Sequence, residues 1–337
     1  MNISAKRSNA VSPVPPLLRL QASITTRDDR LLGWLYDHGV LTTDQIAKAL
    51  FPSLDFAQRR LLRLTTLGAV ARFRPNHLDG GSYPYHYVLA QLGYEHVMGQ
   101  RGDGLPRRDQ ARRRYQSLIS RPDLPHLLGG NGVFIDLAAH ERTHPGTRLA
   151  VWRPASYYHE PGALFREGSD HRMMTKFVGL PRPDGAGIWV QDGKAVPFFV
   201  EYDTGKERLD ILTEKIIKYA LLFGYAESWI WPVLFVLPSV ARERHLHARY
   251  SANPGVIVAT ASVEHLAYTG KSPADDVWQL IGHDGARRRL IDLPYRDGEH
   301  DQQWNPECRN EPSRHPTTND RGKEVNSYGL EELPRSA

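Results

Sequence analysis

The stretch RDDRLLGWLYDHGVLTTDQIAKALFPSLDFAQRRLLRLTTLG, residues 27–68, decides how the chain is read. Thr26 precedes an amphipathic run in which Leu31, Leu32, Leu35 and Tyr36 recur at helical spacing, and Gly39 closes it. Thr42 and Thr43 offer an N-cap for DQIAKALF, whose Ile46, Ala47 and Leu50 share one face, and Pro52 stops that segment. Ser53 or Asp55 caps a third helix, which ends at Gly68. In it Ala57, Leu61, Leu64 and Leu67 form the apolar face, while Gln58, Arg59, Arg60 and Arg63 fall largely on the others.

Working outward, Val70 to Arg74 and Tyr85 to Leu89 flank a loop containing Asp79, Gly80 and Gly81, the pattern of a β-hairpin. AQLGYEHVMGQ reads as a closing helix. Three helices followed by a hairpin predict a winged helix-turn-helix over 25–100. Its third helix would present Gln58, Arg59, Arg60 and Arg63 to a major groove, with Arg72, Arg74 and His77 on the wing near the phosphates. Arginine suits that task because its planar fork pairs with guanine or phosphate. The same fold also serves protein–protein contacts, and arginines on a helix can be merely solvated.

Charge favours the polyanion. Of the 337 residues, 1–125 carry a net +8 and the remainder −3. Residues 1–24 read as a disordered Pro-rich arm. Residues 101–123, which include RGDGLPRRDQARRRYQ, read as a basic linker, and the polar stretch 296–337 as a disordered tail. The single cysteine, Cys308, excludes an internal disulfide and a Cys-based zinc site. The longest apolar stretch, Trp229 to Val240, is interrupted by Pro232 and Pro238 and is too short to span a bilayer. A cytoplasmic protein without membrane contact is the expectation.

Residues 124–295 alternate differently. A helix over Leu127–His140 precedes a strand over Leu149–Trp152 and an irregular stretch over Pro154–Lys176. Strands over Asp184–Val190 and Ala195–Tyr202 are joined by the turn Asp192-Gly193. A helix over Arg208–Phe223, a strand over Trp229–Leu237, a helix over Ala241–Tyr250 and a strand over Val256–Ala261 complete it. The sequence thus predicts an α/β fold of mixed α+β character, a winged helix-turn-helix followed by a sheet domain.

Hairpin geometry brings Asp184 and Glu201 to the same sheet end, and Glu201 and Asp203, two apart, would share a face. Three converging carboxylates repel one another without a cation. Mg²⁺, an oxygen-seeking ion, would relieve that and could activate water against a phosphodiester, with Asp184 and Glu201 as ligands. Solvated acidic residues at strand ends are the simpler account. Pro183-Asp184, sixteen residues, then Glu201-X-Asp203 resembles the pattern of the PD-(D/E)XK nuclease superfamily, except that Asp203 stands where lysine is usual. Lys215 on the following helix could supply the missing charge, with Lys206 and Lys218 as alternatives. His140 and His144 could share a helix face, but no third zinc ligand is suitably spaced. Tyr219 reads as core.

Three blocks in order carry a wider resemblance: RDDRLLGWLYDHGVLTTDQIAKALF with YHYVLAQLGYEHV, then HLLGGNGVFIDLAAHERTHPG, then RPDGAGIWVQDGKAVPFFVEYDTGKERLDILTEKIIKY. The chain resembles the replication-relaxation family of actinobacterial plasmids and integrative elements, over roughly residues 25–295. The resemblance implies a plasmid-linked role on double-stranded DNA and a nuclease-like second domain. Other replication or conjugation proteins, or a second copy in a homodimer, would be partners. The alternative is a non-enzymatic regulator or adaptor whose degenerate nuclease fold serves as scaffold.

Overall fold

Thr25 begins the N-terminal unit with a reciprocal cap. Its hydroxyl accepts from the Asp28 amide, and the Asp28 carboxylate accepts from the Thr25 amide at 2.9 Å. Helix α2 (Thr26–His38) follows, closed by Gly39 at φ +82°. Thr42 and Gln45 repeat the same box at the start of α3 (Thr43–Leu50). Ser53 caps α4 (Leu54–Thr66), whose Ala57, Leu61 and Leu64 are fully buried. Strands β1 (Leu41–Thr42), β2 (Val70–Phe73) and β3 (His86–Leu89) form an antiparallel sheet in the order β1-β3-β2, and α5 (Gln91–Arg101) follows.

The computed structural model describes residues 14–75, 83–159, 163–164, 180–226, 229–250, 255–283 and 285–296, together with two short paired backbone segments at 317–318 and 324–325. The loop between β2 and β3, with His77, and most of the N-terminal arm and C-terminal tail lie outside these residues. Within the arm, residues 16–21 differ from the disordered expectation. They form α1 (Pro16–Gln21), with Pro16 in the first turn, where its missing N–H costs nothing, and Leu20 fully buried. Residues 101–123 are more than a linker. They hold α6 (Gln110–Ile119), whose Tyr115 and Leu118 pack on the hairpin beside Phe73 and Val88.

A mixed α+β architecture continues with α7 (Leu124–Thr143), then β4 (Thr147–Pro154), β5 (Gly185–Gln191) and β6 (Lys194–Tyr202). Next come α8 (Leu209–Ala226), β7 (Val233–Leu237), α9 (Val240–Arg249), β8 (Val258–Ser262), α10 (Val263–Thr269) and β9 (Gln279–Leu280). The six strands lie in sequence order, antiparallel through β4-β5-β6, parallel through β6-β7-β8, and antiparallel again at β9. Asp192 and Gly193, both at positive φ, make the tight turn between β5 and β6. Pro197 is tolerated in β6 because pairing with β7 begins only at Phe199.

Strand alternation sorts the two faces of this sheet. Phe198, Val200, Leu234 and Val236 belong to a core shared with α7, whereas Phe199, Val233, Phe235 and Leu237 belong to one shared with α8. The α7 core is continuous with the helical N-terminal unit. Helix α7 spreads its apolar residues around most of its circumference, with a few polar ones among them, and packs against elements on both sides. Toward α2 and α3 it offers Asn131, which donates to the His38 and Val40 carbonyls, Asp136, bound to Lys48 at 2.6 Å, and Glu141, bound to Arg30. Toward the sheet it offers Gly129, where a Cβ would fall 2.2 Å from the Tyr202 ring. Only glycine permits that approach.

Candidate functional site

Glu201 lies near the end of β6, on the face turned toward α8. Gly185 pairs with Val200, so Asp184 stands across the ladder from Glu201. Lys215 and Tyr219, one turn apart on α8, reach the same carboxylate. The Lys215 ammonium is 3.4 Å from Glu201 and 3.1 Å from Glu207, and the Tyr219 hydroxyl donates to Glu201 at 2.8 Å. Burial and the adjacent Asp184 charge push the Glu201 carboxyl up to about 7, against the lowering influence of Lys215 and Tyr219. Burial alone would depress Lys215, but Glu201 and Glu207 outweigh it and hold the ammonium above its usual value. Tyr219 is buried as the sequence suggests, yet its hydroxyl belongs to the site.

Asp184 is held by groups on two elements. One of its oxygens accepts from the Tyr202 amide at 2.8 Å and lies 3.2 Å from His126 Nε2. That hydrogen bond raises the His126 pKa despite burial. His126 sits in the first turn of α7, and nothing in its local sequence marks it. The usable signal was the adjacent Gly129-Gly130 pair, since glycines on an apolar helix announce close approach to another element.

The remaining carboxylate and lysines behave differently. Asp203 is buried and paired with Arg242 of α9, and it also accepts from the Gly205 amide at 2.8 Å. Its charge is neutralised there, apart from the Asp184–Glu201 pair. Of the three candidate lysines Lys215 alone contacts Glu201, and Lys206 and Lys218 are exposed. Two carboxylates from neighbouring strands, a lysine and a histidine make a hard-oxygen donor pair flanked by cationic groups, a setting that suits Mg²⁺ and a phosphate oxygen. Among the described residues no three His, Cys, Asp or Glu side chains gather closely enough to hold a metal by themselves. His140 and His144 stack on each other at 3.7 Å without a third partner of that kind.

On α4 the polar residues divide. Gln58, Arg59 and Arg63 are exposed, Arg59 pairing with Asp55 at 2.7 Å across one turn. Arg60 turns inward. Its guanidinium binds the buried Asp28 carboxylate at 2.9 Å and the Ser23 carbonyl at 2.7 Å, locking α4 to the start of α2. Arg60 therefore leaves the outward set that the sequence predicts. Arg72 and Arg74 both lie over the Tyr85 ring, at 4.1 and 3.9 Å, at the loop end of the hairpin.

The fold and these two sites define a mixed α+β protein that couples an arginine-bearing helical unit to a sheet carrying a carboxylate–lysine centre. A family model described as replication-relaxation matches residues 32–230, more than half the chain. The protein belongs to the replication-relaxation family. No curated protein and no solved structure matches it. Among the described residues no helix is long and apolar enough to cross a membrane.

Proposed function

We propose that the protein binds double-stranded DNA in plasmid replication or relaxation and that its second unit is a nuclease-like domain able to nick DNA. One observation carries the nuclease reading. Asp184, Glu201 and Lys215 meet at one sheet end on the element order helix, three antiparallel strands, helix, parallel strand, an arrangement that resembles a PD-(D/E)XK centre with Lys215 in place of the usual strand lysine. The order of three helices and a hairpin in the N-terminal unit supports a winged helix, with Gln58, Arg59 and Arg63 on its groove-facing side and Arg72 and Arg74 beside the phosphates.

In this reading Asp184 and Glu201 hold Mg²⁺. When bound, the ion supplies charge neutralisation and water activation at the phosphodiester. Lys215 takes the role of the lysine absent from position 203, offsetting negative charge at the attacked phosphate. His126 and the Tyr202 amide fix one Asp184 oxygen, which would leave the other to the ion. Tyr219 orients the Glu201 carboxylate. Burial first, and the Asp184 charge second, raise the Glu201 pKa, and a cation held between the two carboxylates would offset both.

A second reading has its own support. Lys215 already neutralises Glu201 directly, and the usual lysine position is an aspartate tied to Arg242. A domain so self-satisfied could serve only as scaffold in a regulator or adaptor. Supercoiled plasmid incubated with Mg²⁺ or Mn²⁺ separates the two. Nicking by the wild type and loss of it in Glu201→Ala is expected. Equal nicking by both, or none by either, would favour the scaffold.

A further inference from the structure

Helix α6 packs on the hairpin, carries a row of exposed arginines and leads at its C-terminal end toward α7, whose first turn reaches the carboxylate centre. Its inward stripe is the half-buried Ala111 and Tyr115 with the buried Leu118, at i, i+4 and i+7. The hydroxyl of Tyr115 donates to the Arg72 carbonyl of β2 at 3.4 Å, and its ring meets Phe73 edge-on. Arg108, just before the helix, and Arg112 and Arg113 within it are exposed on the sides this stripe leaves open. Arg113 pairs with Asp109, an exposed contact that costs little to exchange for another anion. The C-terminal end of α6 leads directly to Arg121, whose pKa is raised by Asp123 and, in part, by the charge of Asp184 itself. The first turns of α7 close the arrangement. Leu124, Leu127 and Leu128 pack toward the hairpin and α6, while His126 and Gly129, on the opposite side, meet Asp184 and Tyr202.

We infer that α6 is a phosphate-binding track that carries the backbone of duplex DNA from the hairpin to the mouth of the Asp184–Glu201 site. The inference rests on the DNA-binding reading above and adds to it the surface between the two units. Ten helical residues extend about 15 Å, over which one strand of B-DNA presents four or five phosphates. Arginine is the side chain for such contacts, since its charge is permanent and its fork matches phosphate oxygens. DNA held in this way is positioned by its backbone, without reading its sequence.

The test uses the full chain, a fluorescently labelled 30-base-pair duplex and a salt titration followed by anisotropy. Arg108→Gln/Arg112→Gln removes two cationic contacts, so the slope of log Kd against log salt should flatten by about 1.8 with the melting temperature unchanged. In a Cys308→Ser background, a photo-crosslinker on Gln116→Cys, an exposed position of α6, should label the duplex. If the wild type binds duplex but the double variant keeps the full slope, or the crosslinker labels no DNA, the track is overturned while the DNA reading stands. If the wild type shows no salt-dependent duplex binding, the DNA reading itself fails and the track goes with it.

Discussion

Arg60 and Arg63 lie three residues apart on α4 and have different roles. An amphipathic pattern separates leucines from polar residues, so the apolar face was legible in the sequence. It gives no warning that one arginine will find a buried carboxylate 32 residues earlier. Arg60→Ala strands Asp28, which is 1% exposed, and should cost about 2–3 kcal/mol in urea unfolding, somewhat below a fully buried pair. Arg63→Ala should leave stability within about 0.5 kcal/mol and weaken duplex binding. Equal stability losses in both variants would contradict this division. Glu201 is a second residue whose environment the sequence hid. Its pairing across from Asp184 followed from hairpin register, but the burial that sets its chemistry did not. Its folded pKa of about 7 exceeds the ordinary 4.5, so the folded state binds the extra proton between those values. Stability in metal-free buffer should fall as pH rises through that window. Glu201→Gln should therefore gain about 3 kcal/mol relative to wild type on going from pH 4.5 to 8, read from paired urea titrations, whereas a constant offset would count against the buried ionisation.

At the scale of elements, α7 decides how the halves meet. Its sequence reads as a helix, yet apolar residues spread around most of it say only that it is buried, without naming its neighbours. The glycines name one of them. Gly129→Ala forces a methyl to within 2.2 Å of the Tyr202 ring and must push α7 off the sheet end. A loss of about 2 kcal/mol or more is expected, with nicking reduced because His126 moves with the helix. The control Gly99→Ala, where a Cβ meets nothing within 4 Å, should be neutral or stabilising. Similar losses at both glycines would argue against the close approach. Helix α6 shows the opposite difficulty. Ala111, Tyr115 and Leu118 carry a helical period, but five arginines, Gly104 and Pro106 around them read as a solvated connector. What orders the segment is a hairpin face that no local pattern reveals.

In the whole molecule the two units share one core, and the boundary drawn from composition near residue 101 does not separate two independent bodies. Rings cross it. His38 at the end of α2 stacks on Trp152 of β4 at 3.6 Å, and Trp152 stacks on Phe134 of α7 at 5.1 Å. Burial depresses the His38 pKa to about 3, so the ring is neutral at physiological pH. The unfolded chain binds that proton at about 6.5, and the folded state does not until far lower. The contribution is therefore complete above pH 6.5 and is lost as pH falls toward 3. Between pH 6.5 and 5 the wild type should lose about 2 kcal/mol more than His38→Phe, measured by urea unfolding, and parallel pH profiles would place the acid sensitivity elsewhere. Helix order, caps and the Asp192-Gly193 hairpin were readable because they are local. The union of the units was not, because its contacts join residues about 90 to 110 positions apart. The central claim is that this shared frame holds Asp184 and Glu201 ready for one divalent ion. Crystals soaked in MnCl₂ and measured at the manganese edge test it most directly. The expected map has a single anomalous peak about 2.1 Å from an oxygen of each carboxylate, with Lys215 withdrawn from Glu201. No peak there, with Lys215 still in contact with Glu201, would contradict it.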